Sequence, residues 1–120
     1  MKKILIVDDH ADLRRLLAIT LGKEYDIIQA DDGVTALEAV RASRPQMVLL
    51  DVMMPGEMDG LQVLSCIKTD PALKNTLVVM ITARGQKTDI ELGRSLGADN
   101  YITKPFSPLS LVTWIQTQLQ

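Results

Sequence analysis

Apolar residues along this chain fall into two alternating patterns. Short runs rich in Ile, Val and Leu, with no charge inside them, predict strands that are buried on both faces of a parallel sheet. Five such runs lie at residues 4–7, 27–30, 47–50, 77–81 and 101–103. The second run is the weakest, because Asp26 interrupts the apolar stretch around it.

After each of these runs, apolar residues recur at the three- and four-residue spacing of an amphipathic helix. They are Leu13, Leu16, Leu17 and Leu21; Ala36, Leu37 and Val40; Leu61, Leu64 and Ile67; Ile90, Gly93 and Leu96; and Leu111, Val112, Ile115 and Leu119. We expect the first helix to end at Gly22, and the last to begin with Ser107 as N-cap and Pro108 as first helical residue. Strand and helix thus alternate five times, which predicts a doubly wound α/β sheet with helices on both faces.

Composition narrows the class of protein. A chain of 120 residues has the length of one domain, so we expect residues 1–120 to form a single domain. Its hydrophobic content of 47% is typical of a packed globule, and its one cysteine, Cys66, has no partner for a disulfide. The net charge of −2 argues against nucleic-acid binding through this domain.

The sequence predicts neither a membrane span nor a signal peptide. The longest apolar runs contain only a few residues, and Asp8-Asp9 follow the basic and apolar start of the chain without a small-residue cleavage site. We therefore expect a cytoplasmic protein that does not bind membranes. The start Met1-Lys2-Lys3 favours a natural N-terminus, and it stays open whether the chain stands alone or begins a longer regulator.

Polar residues directly follow all five predicted strands, and those after the second, Asp31-Asp32-Gly33, are typical of a turn. The other four strands end in candidate functional residues, at the edge where ligands bind in open α/β sheets. They are Asp8 and Asp9, Asp51, Thr82 and Lys104. If the first and third strands are neighbours, three carboxylates converge, and like charges at such distances need compensation. A hard cation such as Mg²⁺ or Mn²⁺ and the Lys104 ammonium would provide it. These groups suit phosphoryl transfer, in which one aspartate accepts the phosphoryl group.

The motifs around these residues resemble those of the receiver domain of two-component response regulators. They are Asp8-Asp9, Asp51 with Met54-Pro55-Gly56 behind it, Thr82-Ala83 and Lys104-Pro105-Phe106. They agree in identity, order and spacing, and the similarity extends from Lys3 to the last helix. The resemblance implies a flavodoxin-like (βα)5 fold with strand order 2-1-3-4-5. It also implies a signalling domain rather than an enzyme. Such a domain catalyses only its own phosphorylation and dephosphorylation.

The resemblance assigns a role to each residue at this edge. Asp51 would be the phosphoacceptor and a metal ligand. Asp9 would bind Mg²⁺ directly, Asp8 mainly through a metal-bound water, and Met53 through its backbone carbonyl. Lys104 would pair with a phosphoryl oxygen, and its peptide bond to Pro105 would be cis.

The resemblance also implies a two-state switch. The Thr82 hydroxyl would turn towards the phosphoryl group, and the Tyr101 ring would then move inward. The alternative for Tyr101 is an ordinary sheet tyrosine with its hydroxyl at the surface. Trp114 is expected at the edge of the apolar stripe of the last helix, partly exposed near the fourth helix and fifth strand.

The expected phosphodonor is a sensor histidine kinase or a histidine phosphotransfer protein, within a two-component system or a phosphorelay. Phosphorylation would favour an altered surface of the fourth helix, fifth strand and fifth helix. A downstream effector or a second copy of the chain would then bind this surface.

The chain departs from the family pattern in the loop after Asp51. This loop has one residue more than usual, with Glu57 as the natural insertion, and a longer surface loop should leave the site intact. Nearby, His10 is expected as an exposed residue in the first turn of the first helix. Arg84 occupies a position at which receivers commonly tune the lifetime of the phosphate.

Three other functions are less well supported. A phosphohydrolase of the haloacid dehalogenase type would need a second aspartate two residues after the nucleophile, where this chain has Met53 or His10. A nucleotide or flavin binder would need a glycine-rich turn after the first strand. A degenerate receiver that acts only as an interaction module is disfavoured by the complete set of acidic and switch residues.

Overall fold

A computed structural model of the chain describes residues 1–54, 56–83 and 87–119. Strands and helices alternate as the apolar pattern predicts. The strands are β1 (Lys3–Val7), β2 (Asp26–Ala30), β3 (Met47–Asp51), β4 (Leu77–Ala83) and β5 (Asn100–Lys104). The helices are α1 (Ala11–Leu21), α2 (Gly33–Ser43), α3 (Gly60–Thr69), α4 (Lys87–Ser95) and α5 (Pro108–Gln118).

The strands form one parallel sheet in the order β2-β1-β3-β4-β5, which confirms the predicted fold class and strand order. In the register of this sheet, Val7 of β1 pairs with Ala30 of β2 and with Leu50 of β3. The ends of β1 and β3 therefore lie side by side. Asp8 directly follows β1 and Asp51 is the last residue of β3, so both carboxylates lie at the same edge of the sheet.

Side chains alternate between two cores because successive residues of a strand point to opposite faces. One face carries Leu5, Val48 and Leu50 and is covered by α2 and α3. The other carries Ile4, Ile6 and Leu49 and is covered by α1 and α5. Burial on both faces explains why the strands are continuous apolar runs, and the strand methionines Met47 and Met80 are fully buried, as predicted.

Local signals fix the helix ends that the sequence predicts. α1 ends at Leu21, and the Gly22 N–H donates to the Ala18 carbonyl with helical rather than left-handed backbone angles. The Ser107 hydroxyl caps α5 by accepting a hydrogen bond from the Ser110 N–H, and Pro108 begins the helix. Both predictions are confirmed.

The helices were compared with what a membrane span requires. Within residues 1–54, 56–83 and 87–119, none of the helices combines the length and the apolar character that crossing a bilayer requires.

Candidate functional site

The carboxyl edge of the sheet brings two buried carboxylates and one lysine together. Asp8 and Asp51 are only 2% and 4% exposed. The Lys104 Nζ lies between them, 3.3 Å from the Asp8 Oδ2 and 3.4 Å from the Asp51 Oδ2. One ammonium thus bridges groups that are 96 and 53 residues away along the chain.

Asp51 is the last residue of β3, and the loop behind it closes tightly on the strand. The Val52 N–H donates to the Ile81 carbonyl of β4, and the Gly60 N–H donates to the Val52 carbonyl. A Cβ at position 60 would lie 2.2 Å from the Asp51 carbonyl oxygen, so only glycine fits at the start of α3. Within the loop, the Met53 N–H donates to the Asp51 Oδ1 at 3.1 Å, which orients the carboxylate.

Asp8 is held by its backbone and by a cation that the sequence analysis missed. The Asp8 N–H donates to the Ala30 carbonyl of β2. The Arg14 Nη1 donates to the Asp8 carbonyl at 2.6 Å, and the Arg14 Nε donates to the Gln29 Oε1 at 3.3 Å. The only signal in the sequence is an arginine near the start of a helix, which is too common to indicate a site.

His10 contacts the acidic residues more closely than predicted. Its backbone N–H donates to the Asp8 Oδ1, and its Nδ1 lies 2.8 Å from the same oxygen and 3.1 Å from the Asp9 Oδ1. The placement in the first turn of α1 is wrong, because His10 is the N-cap residue, with extended backbone angles. Its ring is exposed, as expected.

Thr82 and Tyr101 lie on the same face of the sheet. Thr82 is buried, and its hydroxyl donates a long hydrogen bond of 3.3 Å to the neighbouring Ala83 carbonyl. Tyr101 pairs in register with Met80, two residues before Thr82. The Tyr101 hydroxyl is buried and has no hydrogen-bond partner among the residues that the structure describes, so a surface hydroxyl is ruled out.

The other residues that the sequence singled out lie in the loops after β3 and β5 and in α5, or outside the described part of the chain. The Lys104–Pro105 peptide bond is cis. Glu57 is exposed in the β3–α3 loop, next to Gly56 with a φ of +104°. Trp114 is half-buried, as predicted, and borders a groove of about 230 Å³ along β5. Pro55 and Arg84 lie outside the described residues.

Comparison of the sequence with protein-family models shows to which family this chain belongs. The family model for the response regulator receiver domain matches residues 4–116. This chain belongs to the response regulator receiver domain family.

Individual relatives agree with this assignment. The DNA-binding response regulator MtrA of Mycobacterium leprae is 42% identical over 120 residues, which are 99% of this chain and 52% of the relative. The phosphate regulon transcriptional regulatory protein PhoB of Klebsiella pneumoniae is 37% identical, with the same coverage of 99% and 52%. The chain therefore spans about half the length of these curated relatives.

A solved structure extends the likeness to the whole fold. The chemotaxis protein CheY4 of Vibrio cholerae superposes with a TM-score of 0.90 at 30% identity, covering 99% of both chains. The flavodoxin-like architecture of this receiver domain is thus shared with a receiver of the same length.

The acidic edge of this receiver domain suits a hard cation. Ligand atoms of Asp8, Asp9, His10 and Asp51 all lie within 4.8 Å of one another. Three of these four groups offer carboxylate oxygens, the ligands that Mg²⁺ and Mn²⁺ prefer, and Lys104 is the cation that bridges two of them. The residues present therefore fit a divalent ion at this edge.

The pKa values of the two buried carboxyls shift in opposite directions. Burial and the neighbouring charge of Asp8 raise the pKa of Asp51, against the opposing effects of the Met53 N–H and Lys104. Burial also acts to raise the pKa of Asp8, but hydrogen bonds from His10 and the charge of Lys104 outweigh it and leave that pKa below its ordinary value. Of these two carboxylates, Asp51 therefore carries the less compensated charge.

The basic groups Lys104 and His10 each lie beside two carboxylates, and Asp8 is common to both. Burial acts to lower the pKa of Lys104, but the charges of Asp51 and Asp8 outweigh it and raise that pKa. The hydrogen bond with Asp8 and the charge of Asp9 raise the pKa of His10. Both shifts stabilise positive charge beside the acidic residues, as expected where negative charge is in excess.

Proposed function

We propose that residues 1–120 form one receiver domain that accepts a phosphoryl group on Asp51. The observation that carries this proposal is the buried Asp51 carboxylate, held 3.4 Å from the Lys104 Nζ beside further carboxylates. A buried, poorly compensated carboxylate gains from any partner that brings positive charge or removes its own charge. Phosphoryl transfer would convert it to an acyl phosphate, and the negative phosphoryl oxygens would then be compensated by Lys104 and by a bound divalent cation.

The resemblance to receiver domains implies the metal ligands, and the oxygen donors at this edge are consistent with them. Asp9 and Asp51 would bind Mg²⁺ directly, Asp8 through a water, and Met53 through its backbone carbonyl; Mn²⁺ would suit the same oxygens. When bound, Mg²⁺ neutralises phosphoryl oxygens. Asp9 and His10 are solvent-accessible beside the buried carboxylates, so the ion and the phosphodonor would approach Asp51 from their side.

In the transfer, an Asp51 carboxylate oxygen forms a bond to phosphorus while the bond between phosphorus and the donor's imidazole nitrogen breaks. The electron pair of the broken bond goes to that nitrogen. The Met53 N–H holds the other Asp51 oxygen in place. Lys104 exchanges its two long contacts with carboxylates for a phosphoryl oxygen, and Thr82 exchanges its 3.3 Å bond to the Ala83 carbonyl for another.

The phosphodonor is a sensor histidine kinase or a histidine phosphotransfer protein, and the setting is the cytoplasm. An apolar groove beside Lys104 supports docking of such a donor; it is lined by Leu13, Leu16, Pro105, Phe106 and Pro108. The response passes to an effector or a second copy through α4, β5 and α5. MtrA and PhoB are named as DNA-binding and transcriptional regulators, so DNA binding would belong to a separate part of such a protein.

The test is the intact mass of the protein after incubation with acetyl phosphate, a small phosphodonor. With Mg²⁺ the wild type should gain one phosphoryl group, and with EDTA it should gain none. Asp51→Asn should gain none, whereas the exposed-surface control Asp12→Asn should behave as the wild type. Uptake by Asp51→Asn, or uptake without a divalent ion, would contradict the proposal.

A further inference from the structure

α4 lacks a side chain at the position where it faces Tyr101. Gly93 is buried in this helix, and a Cβ there would lie 3.3 Å from both the Cε1 and the Oη of Tyr101. It would also lie 3.6 Å from the Leu61 Cδ2 of α3. Glycine is unfavourable inside a helix compared with alanine, so a buried helical glycine without a positive φ points to a need for space.

The space at Gly93 is filled by the outer half of the Tyr101 ring. The Arg94 guanidinium carbon lies 5.6 Å from the ring centroid, within the range of a cation–π contact. The buried hydroxyl finds no hydrogen-bond partner within residues 1–54, 56–83 and 87–119. Packing favours this ring position, and the loss of hydrogen bonds to water opposes it.

The ring position is connected to the proposed phosphorylation site through β4. Tyr101 packs against the core on the α2 and α3 face, next to its register partner Met80. Thr82 lies two residues beyond Met80 on the same face, at the carboxyl edge that holds Asp51. The ring therefore packs beside the strand that carries the Thr82 hydroxyl, two residues from that hydroxyl along β4.

We propose that Gly93 is a positioning residue for Tyr101, which sets how often the ring occupies the space between α3, α4 and β5. Its functional consequence rests on the proposed function above. If a phosphoryl group at Asp51 favours the packed position of the Tyr101 ring, a methyl group at position 93, which takes up the space of that ring, disfavours the phosphorylated state. By linkage it weakens binding of a phosphoryl mimic, by about fivefold.

The ring position can be measured without any ligand. The chain contains two tyrosines, Tyr25 and Tyr101, so incorporation of 3-fluorotyrosine gives two ¹⁹F signals, and Tyr25→Phe identifies that of Tyr101. Gly93→Ala should shift the Tyr101 signal towards that of a solvent-exposed ring. Ser95→Ala, at an exposed position of the same helix, should leave it unchanged. An unchanged signal in Gly93→Ala, with a normal helical circular dichroism spectrum, would overturn the proposal.

The connection to the site is measured by calorimetric titration with beryllofluoride in the presence of Mg²⁺. Gly93→Ala should bind about fivefold more weakly than the wild type and Ser95→Ala. In a Tyr101→Ala background, the same change at position 93 should have no effect, because the ring is gone. An equal loss in both backgrounds would contradict a role through Tyr101. Failure of the wild type to bind would refute the proposed function, while the ¹⁹F shift would still decide whether Gly93 positions the ring.

Discussion

Two lysine–aspartate clusters lie at opposite edges of the same sheet. At the edge where the strands begin, the Lys68 Nζ donates to the Asp99 Oδ2 at 2.8 Å and to the carbonyls of Thr76 and Lys74. The Asp99 Oδ2 also accepts from the Val78 N–H at 2.8 Å. At the edge where the strands end, Lys104 has two longer contacts, at 3.3 and 3.4 Å, to Asp8 and Asp51.

The difference lies in how well each charge is compensated. Lys68 has one carboxylate and two carbonyls as partners, and it joins the end of α3 to the starts of β4 and β5. Lys104 faces two buried carboxylates, with a third, Asp9, beside them. The same pair of residue types thus stabilises the fold at one edge, and at the other leaves excess negative charge that suits a ligand.

The largest effect is expected from removal of the Lys68 charge. Lys68→Met keeps the aliphatic stem that packs near Gly97 but removes all three hydrogen bonds, so the free energy of unfolding should fall by about 2 kcal/mol. Urea denaturation in EDTA measures this. Lys74→Met, at an exposed neighbour, is the matched control and should be neutral. An equally small change at both positions would show that the Lys68 cluster is not stabilising.

Removal of the Lys104 charge should give a loss that a divalent ion restores. Lys104→Met leaves Asp8 and Asp51 without their shared cation. Because the contacts are long, at 3.3 and 3.4 Å, and the Lys104 side chain is 28% exposed, this should cost about 1 kcal/mol in EDTA. Saturating Mg²⁺ should restore this lost stability. The gain in the free energy of unfolding on adding Mg²⁺ should therefore be larger for Lys104→Met than for the wild type. The ion should give Lys68→Met no more stability than the wild type gains. A Lys104→Met variant that Mg²⁺ did not stabilise would show that Lys104 does not compensate the charges of Asp8 and Asp51.

Replacing an aspartate by asparagine should change the free energy of unfolding in opposite directions at the two edges. Asp51→Asn removes an ionised group that burial and Asp8 disfavour, so it should raise the metal-free stability by about 1 kcal/mol. Asp99→Asn weakens the bonds from Lys68 and the Val78 N–H, so it should lower stability by a similar amount. Thermal or urea unfolding in EDTA compares the two, and a loss of stability in Asp51→Asn would break the contrast.

The smallest effect is the pH dependence within the acidic edge. The raised pKa of Asp51 means that its charge destabilises the fold at neutral pH; this cost disappears as the pH falls through that pKa towards the ordinary value of 3.8. The lowered pKa of Asp8 means that its stabilisation is present above 3.8 and is lost only as the pH falls through the lower folded value.

The gain from Asp51→Asn should therefore fade at a higher pH than the loss from Asp8→Asn. Urea unfolding of both variants and the wild type across the acidic range, in EDTA, provides the comparison. Effects that fade at the same pH would show that the two carboxyls are not shifted apart.

What the sequence predicts well depends on regular spacing. Asp8, Asp51 and Lys104 follow apolar runs whose periodicity reveals the strands, and a parallel sheet brings such strand ends to one edge. The contacts of Arg14 with the Asp8 carbonyl and of Lys68 with Asp99 follow no such rule. They depend on where loops and helix ends meet in three dimensions. By themselves, Arg14 and Lys68 are common surface cations that indicate no particular contact.

Gly93 and His10 illustrate the same limit at finer scale. In the sequence, Gly93 is a small member of an irregular apolar stripe, and only the position of the Tyr101 ring gives it meaning. His10 follows an acidic pair, but its N-cap geometry turns both its backbone N–H and its ring towards Asp8. Such details are determined by rotamers and backbone angles, which residue patterns do not specify.

The most direct test of the central proposal is to locate the acyl phosphate chemically. The protein is incubated with acetyl phosphate and Mg²⁺ and then reduced with borohydride, which converts an aspartyl phosphate to homoserine. Peptide mass spectrometry then identifies the modified position. We expect homoserine at position 51 alone, and none when Mg²⁺ is omitted. Homoserine at position 8 or 9, with Asp51 intact, would contradict it.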